Sequence, residues 1–141
     1  MRLNLEHPDA ILDAYEAFAA IAREHRVPLD GVLIQPMLTG GTETMIGVVQ
    51  DRLFGPIVGF GLGGTDVEVL GDMHFRLAPL APREIDELIR GSRAGQLLAA
   101  HRGRPAADIP ALSELLARVA ALAVDVPEVM ELDLNPVIVK P

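Results

Sequence analysis

The segment Glu131-Leu132-Asp133-Leu134-Asn135-Pro136 alternates hard oxygen donors with leucines. Two-residue alternation is the strand period, so Glu131, Asp133 and Asn135 share one side of a strand, and a proline follows. Carboxylate and amide oxygens so placed suit a small hard cation such as Mg²⁺. The same alternation is also the ordinary appearance of a half-exposed strand, and the residues alone leave both readings open.

A second constellation is Gly59-Phe60-Gly61-Leu62-Gly63-Gly64, which satisfies G-x-G-x-x-G after an apolar run. A dinucleotide site needs a helix to begin there, its amide end facing the pyrophosphate. Thr65 to Leu70 instead alternates as Thr-Asp-Val-Glu-Val-Leu, the strand period, which argues against a Rossmann unit. The glycines then serve a turn or bulge, or a bare backbone that a phosphate or partner segment approaches closely.

Other reactive side chains form no constellation. His7, His25 and His101 lie at helix edges among charged neighbours, and His74 falls in a strand without triad partners. Ser92 and Ser113 lack a nucleophile elbow. Met37, Met45, Met73 and Met130 read as packing residues.

The elements that must position these groups follow from periodicity. Pro8 to His25 carries Ile11, Leu12, Tyr15, Phe18, Ala19 and Ala22 at three- and four-residue steps, an amphipathic helix with proline in its first turn. Val32 to Leu38 and Thr44 to Asp51 are short apolar runs rich in β-branched residues, separated by the turn Thr39-Gly40-Gly41-Thr42. Thr44–Gln50 and Ile57–Phe60 flank turn residues and predict an antiparallel hairpin. Asp66 to Leu70 and Phe75 to Leu80 read as strands, Pro82 to Arg90 and Pro110 to Val124 as helices, and Leu97 to His101 as a short helix. Val129 to Leu134 and Val137 to Val139 predict a terminal strand bent at Asn135-Pro136.

The chain of 141 residues thus predicts one α+β domain, 1–141, with helices against a mainly antiparallel sheet. Half of the residues are hydrophobic and only 4% aromatic, so aliphatic side chains must build the core. Twelve Lys and Arg against 20 Asp and Glu give a net charge of −8, which excludes a broad basic face for nucleic acid. Zero cysteines exclude disulfides, cysteine zinc sites and thiol nucleophiles. No apolar run is long enough to span a membrane and the first residues lack a signal-peptide pattern, so a cytoplasmic protein is expected.

The order of GVLIQPM, GTETMIGVVQD, FGPIVGFGLGGTDVEVLGD, RLAPL and PEVMELDLNPVIV resembles the later part of the ATP-grasp domain of the NDP-forming acyl-CoA synthetases. That family includes ADP-forming acetate–CoA ligases and is similar to the succinyl-CoA synthetase β subunit. The resemblance implies an ATP-grasp C-terminal subdomain that binds ATP or ADP with Mg²⁺, CoA being held by other domains. Gln35 and Met37 match the hinge that holds the adenine edge, and Glu43 matches an acid close to the nucleotide. Asp133 and Asn135 match the metal-binding element, while Gly61, Gly63, Gly64 and Glu68 match a loop on the active-site side.

The reaction implied is acyl-CoA, ADP and phosphate in exchange for free acid, CoA and ATP, through an acyl phosphate and a phosphohistidine. The expected partners are the CoA-binding and ligase domains or subunits of the same synthetase, with neither nucleic acid nor membrane. The family's phosphate-binding lysine has no counterpart here, because Lys140 is the only lysine. The chain is therefore expected to be inactive alone. A non-catalytic interaction or regulatory domain retaining the fold is the competing expectation.

Overall fold

A computed structural model describes residues 1–64, 71–99 and 105–141. The expected strand 66–70, with Glu68, and His101 lie outside the described residues. The chain divides into two compact units, Met1–Thr39 and Gly40–Pro141.

In the first unit, helix α1 spans Pro8–His25 with Pro8 in its first turn and Arg26 in the left-handed conformation closing it. The Arg26 N–H bonds the Arg23 carbonyl, and the Val27 N–H bonds the Ala22 carbonyl. The expected strand 32–38 is not formed as a paired strand. Its β-branched residues favour extended backbone, but a strand also requires a hydrogen-bonded neighbour, and none pairs with it among the described residues. Leu33 and Ile34 remain exposed.

The second unit is a four-stranded antiparallel sheet in the order β3-β2-β1-β4, with β1 Thr42–Asp51, β2 Gly55–Leu62, β3 His74–Leu77 and β4 Glu131–Val139. The expected hairpin forms with Asp51 opposite Gly55. Its turn is closed by the Asp51 carboxylate, which accepts from the N–H groups of Leu53 at 2.8 Å and Phe54 at 2.9 Å. Gly55, at φ +79°, takes the left-handed backbone that the turn requires.

Helices α2 Pro82–Gly91, α3 Arg93–Leu98 and α4 Ile109–Asp125 supply the other half of the core. Ile46, Val48, Val58 and Phe60 of the sheet pack with Ile85, Leu88, Ile89, Leu98, Leu112, Leu116 and Val119 of the helices. Each helix has its own start signal. Glu84 accepts from the Ala81 N–H at 2.8 Å, the Ser92 hydroxyl accepts from Gly95 N–H at 3.0 Å, and Asp108 accepts from Ala111 N–H at 3.0 Å. The helix Arg93–Leu98 begins where Ser92 caps it and covers the first part of the helix expected at 97–101, of which residues 100 and 101 lie outside the described residues.

Alternation divides the sheet into two faces. Thr44, Ile46 and Val48 point to the helices, leaving Glu43, Met45, Gly47 and Val49 on the opposite face. Register places Gly47 against both Gly59 and Asp133, and Val49 against Ile57 and Glu131, so these also belong to the opposite face. Within this unit no described helix covers that face.

Candidate functional site

Strand β4 departs from regular pairing at the residues that the sequence singles out. Thr44 pairs with Val137 and Ile46 with Leu134, so Asn135 and Pro136 together oppose the single residue Met45. This is a β-bulge, and it forms at a proline, which has no N–H to give to the ladder. The expected bend is therefore a bulge inside one continuous strand, with Asn135 exposed on it.

The glycine segment crosses the end of the sheet to reach that bulge. The Gly63 N–H donates to the Glu43 carbonyl at 3.0 Å, and the Gly64 N–H donates to Asn135 Oδ1 at 2.9 Å. Crossing so close to β1 leaves no room for side chains. A Cβ on Gly63 would strike the Thr44 backbone, and one on Gly64, at φ +79°, would strike the Glu43 carboxylate. At Gly61 it would strike the Asp72 carbonyl. Gly61 and Gly63 are thus required by the chain's own packing.

The structure accordingly brings Glu43, Gly63, Gly64 and Asn135 to one end of the open face. Asp133 lies two residues before Asn135 on the same face, opposite Gly47. It borders an open cavity of about 930 Å³, lined by Met45, Gly47, Val49, Ile57, Phe75 and Glu131 among others. Its floor is low at Gly47 and Gly59, and Met73 and Phe75 fold over Gly59. Gln35 and Met37 belong to the first unit, where they line a separate cavity of about 340 Å³ with residues of α1 that include Tyr15 and Phe18.

The oxygen donors fit a small hard cation. Asp133 contributes a carboxylate, and the Asn135 oxygen has two acceptor sites, of which Gly64 takes one. Mg²⁺ commonly binds through one or two protein oxygens and completes its shell with water and phosphate.

Asp72 is the residue that sequence reasoning missed. Its side chain is nearly buried, at 4% exposure. Oδ1 accepts from the Arg93 N–H at 2.8 Å, while Oδ2 accepts from Ala94 N–H at 3.0 Å and Leu62 N–H at 3.2 Å. His74 Nε2 stands 3.9 Å from Oδ1. One carboxylate thereby joins the end of β2 to the amide end of α3. No local periodicity marks it, since its partners are 10, 21 and 22 residues away.

The four-stranded antiparallel sheet flanked by helices matches the fold of a known family. The family model described as an ATP-grasp domain matches residues 1–141, and the chain belongs to that family. The chain is 43% identical over 140 residues to acetate–CoA ligase [ADP-forming] I of Archaeoglobus fulgidus, covering 97% of this chain and 20% of that protein. It is 37% identical over 139 residues to the β subunit of acetate–CoA ligase [ADP-forming] I of Pyrococcus furiosus, covering 97% of this chain and 60% of the subunit.

Among solved structures it is similar to the dinucleotide forming acetyl-coenzyme A synthetase 1 of Ca. Korarchaeum cryptofilum in complex with coenzyme A, Ca-AMPCP and HgCl+. That match has a TM-score of 0.89 at 35% identity, over 99% of this chain and 62% of the other. The same enzyme with coenzyme A and Mg-AMPPCP, its phosphohistidine segment pointing towards the nucleotide binding site, matches with a TM-score of 0.85 at 35% identity over 99% of this chain and 61% of that one. The chain spans about a fifth of the longer curated relative and three fifths of the β subunit. No described helix is long and apolar enough to cross a membrane.

Proposed function

We propose that this chain holds the magnesium-bound nucleotide in an ADP-forming acyl-CoA synthetase and is inactive without the remaining domains. The reaction converts acyl-CoA, ADP and phosphate into free acid, CoA and ATP, or runs in reverse. The carrying observation is the meeting of Glu43, the Gly64 N–H and the Asn135 oxygen at the bulge, beside the open face that Asp133 borders. The similarity to enzymes of this activity at 37–43% identity supports the reading.

In this reading Asp133 and Asn135 hold Mg²⁺, which neutralises phosphate charge and aligns the transfer when bound. By the family resemblance, Gln35 and Met37 of the first unit offer their backbone groups to the adenine edge. Glu43, Gly64 and Glu68 lie toward the phosphates. The phosphate-binding lysine comes from the rest of the synthetase, Lys140 being the only lysine here, as do the CoA-binding and ligase domains. A cytoplasmic location goes with the use of ATP and CoA.

Calorimetric titration of Mg-ADP and Mg-ATP tests the reading, with folding checked by circular dichroism. Wild type binds, and Asp133→Ala and Asn135→Ala weaken binding about ten- to a hundredfold, the range for removing a metal-orienting group. A folded wild type that binds no nucleotide at millimolar concentration would return the chain to the interaction-domain reading.

A further inference from the structure

We propose that Asp72 is the positioning residue of the glycine crossing, acting on the Asn135 site through Leu62, Gly63 and Gly64. A nearly buried carboxylate with three backbone N–H donors is over-determined as a helix cap, for which a single acceptor suffices. The third donor, Leu62 N–H, belongs to a different element, the last residue of β2.

The two residues after Leu62 have no side chains that could anchor them. Gly63 and Gly64 are held only through their backbone, to the Glu43 carbonyl and to Asn135 Oδ1. Glycine has the largest conformational freedom to lose, so such a crossing needs a fixed point on its incoming side. Asp72 supplies that point. Its carboxylate fixes Leu62, and its own carbonyl lies where a Cβ of Gly61 would be, so the 61–62 backbone is gripped from two sides. The rigid body behind it is α3, whose Ala94 and Leu98 are core residues. The core is thereby connected to the oxygen of Asn135 through α3, the Asp72 carboxylate and the backbone of residues 62–64.

Its functional consequence rests on the nucleotide reading, but the positional claim does not. Amide hydrogen exchange of the 141-residue chain reads it directly. In Asp72→Asn, the amides of Leu62, Gly63 and Gly64 should exchange roughly tenfold faster relative to Ile46 and Val58 of the same variant. Normalising to those central amides removes any global destabilisation. Unchanged relative exchange at all three amides would overturn the proposal.

Should Asp72→Asn not fold, Arg93→Pro removes one donor while keeping a residue suited to the first helical turn, after the extended Ser92. It should loosen the same three amides, and their unchanged protection would equally refute the role. Mg-ADP affinity is then compared between wild type and Asp72→Asn. Selective loosening with a wild type that binds no nucleotide keeps Asp72 as a positioning residue and rejects the nucleotide reading.

Discussion

Replacing Gly63 by alanine tests whether the glycine crossing is dictated by the fold or kept bare for a ligand. A Cβ at Gly63 would strike the Thr44 carbonyl oxygen and lie 2.6 Å from its carbon and 3.0 Å from the Thr44 nitrogen, where ordinary carbon contacts begin at about 3.5 Å. Thr44 is fully buried on β1, which has a hydrogen-bonded strand on each side, so it cannot retreat without breaking the ladder.

Overpacking costs about 1–3 kcal/mol when side chains can adjust, and here backbone is in the way, so the upper end applies. Displacing Gly63 also strains its 3.0 Å bond to the Glu43 carbonyl, worth about 1 kcal/mol. A loss of about 3–4 kcal/mol should lower the melting temperature by roughly 12–30 °C for a unit of this size. Gly47 is the control. A Cβ there meets only the Leu132 carbonyl at 3.8 Å and Met45 Cε at 3.9 Å, both ordinary contacts. Gly47→Ala should be neutral or stabilise by about 0.4–1 kcal/mol through the unfolded chain. Thermal unfolding by circular dichroism compares the two. A Gly63→Ala variant melting within a few degrees of wild type would refute the packing argument and return the glycine to ligand approach.

Two further perturbations address other parts of the unit. Thr44→Val preserves β-branching but removes the hydroxyl that donates to the Val137 carbonyl at 3.0 Å. It should cost about 1 kcal/mol in urea unfolding, and a more stable variant would show that apolar burial outweighs the bond. Asp51 is held below the usual carboxylate range, first by the Phe54 N–H and then by the Leu53 N–H. A depressed folded-state pKa gives stability that is present above the unfolded value near about 4 and is lost as pH falls through the folded value. Asp51→Asn should therefore flatten the acid side of the stability profile, and an unchanged acid slope would contradict it.

Much of the local structure was legible in the sequence. The apolar spacing of 8–25 gave α1 with the bounds observed, and the turn residues after Gln50 gave the β1–β2 hairpin. The alternation of Glu131 to Asn135 likewise gave the exposed side of β4. Each of these signals lies within one element, where side-chain period and turn chemistry act over a few residues. Val32 to Leu38 marks the limit of that reasoning, because its composition suits a strand but pairing requires a second segment.

The candidate site was legible only as an inventory of residues. Glu43, Gly64 and Asn135 could be named from the sequence, yet the Gly64–Asn135 bond spans 71 residues and depends on a bulge opposite Met45. Asp72 left no local trace, because a carboxylate's role is set by the amides folding brings to it. The sequence by itself determined the elements and the chemistry they carry, since periodicity and donor type are properties of neighbouring residues. Only the tertiary structure decided that the glycines cross β1, that Asn135 stands on a bulge, and that Asp72 fixes the crossing. Those outcomes depend on excluded volume and hydrogen bonds between residues far apart in the chain, which no local pattern encodes.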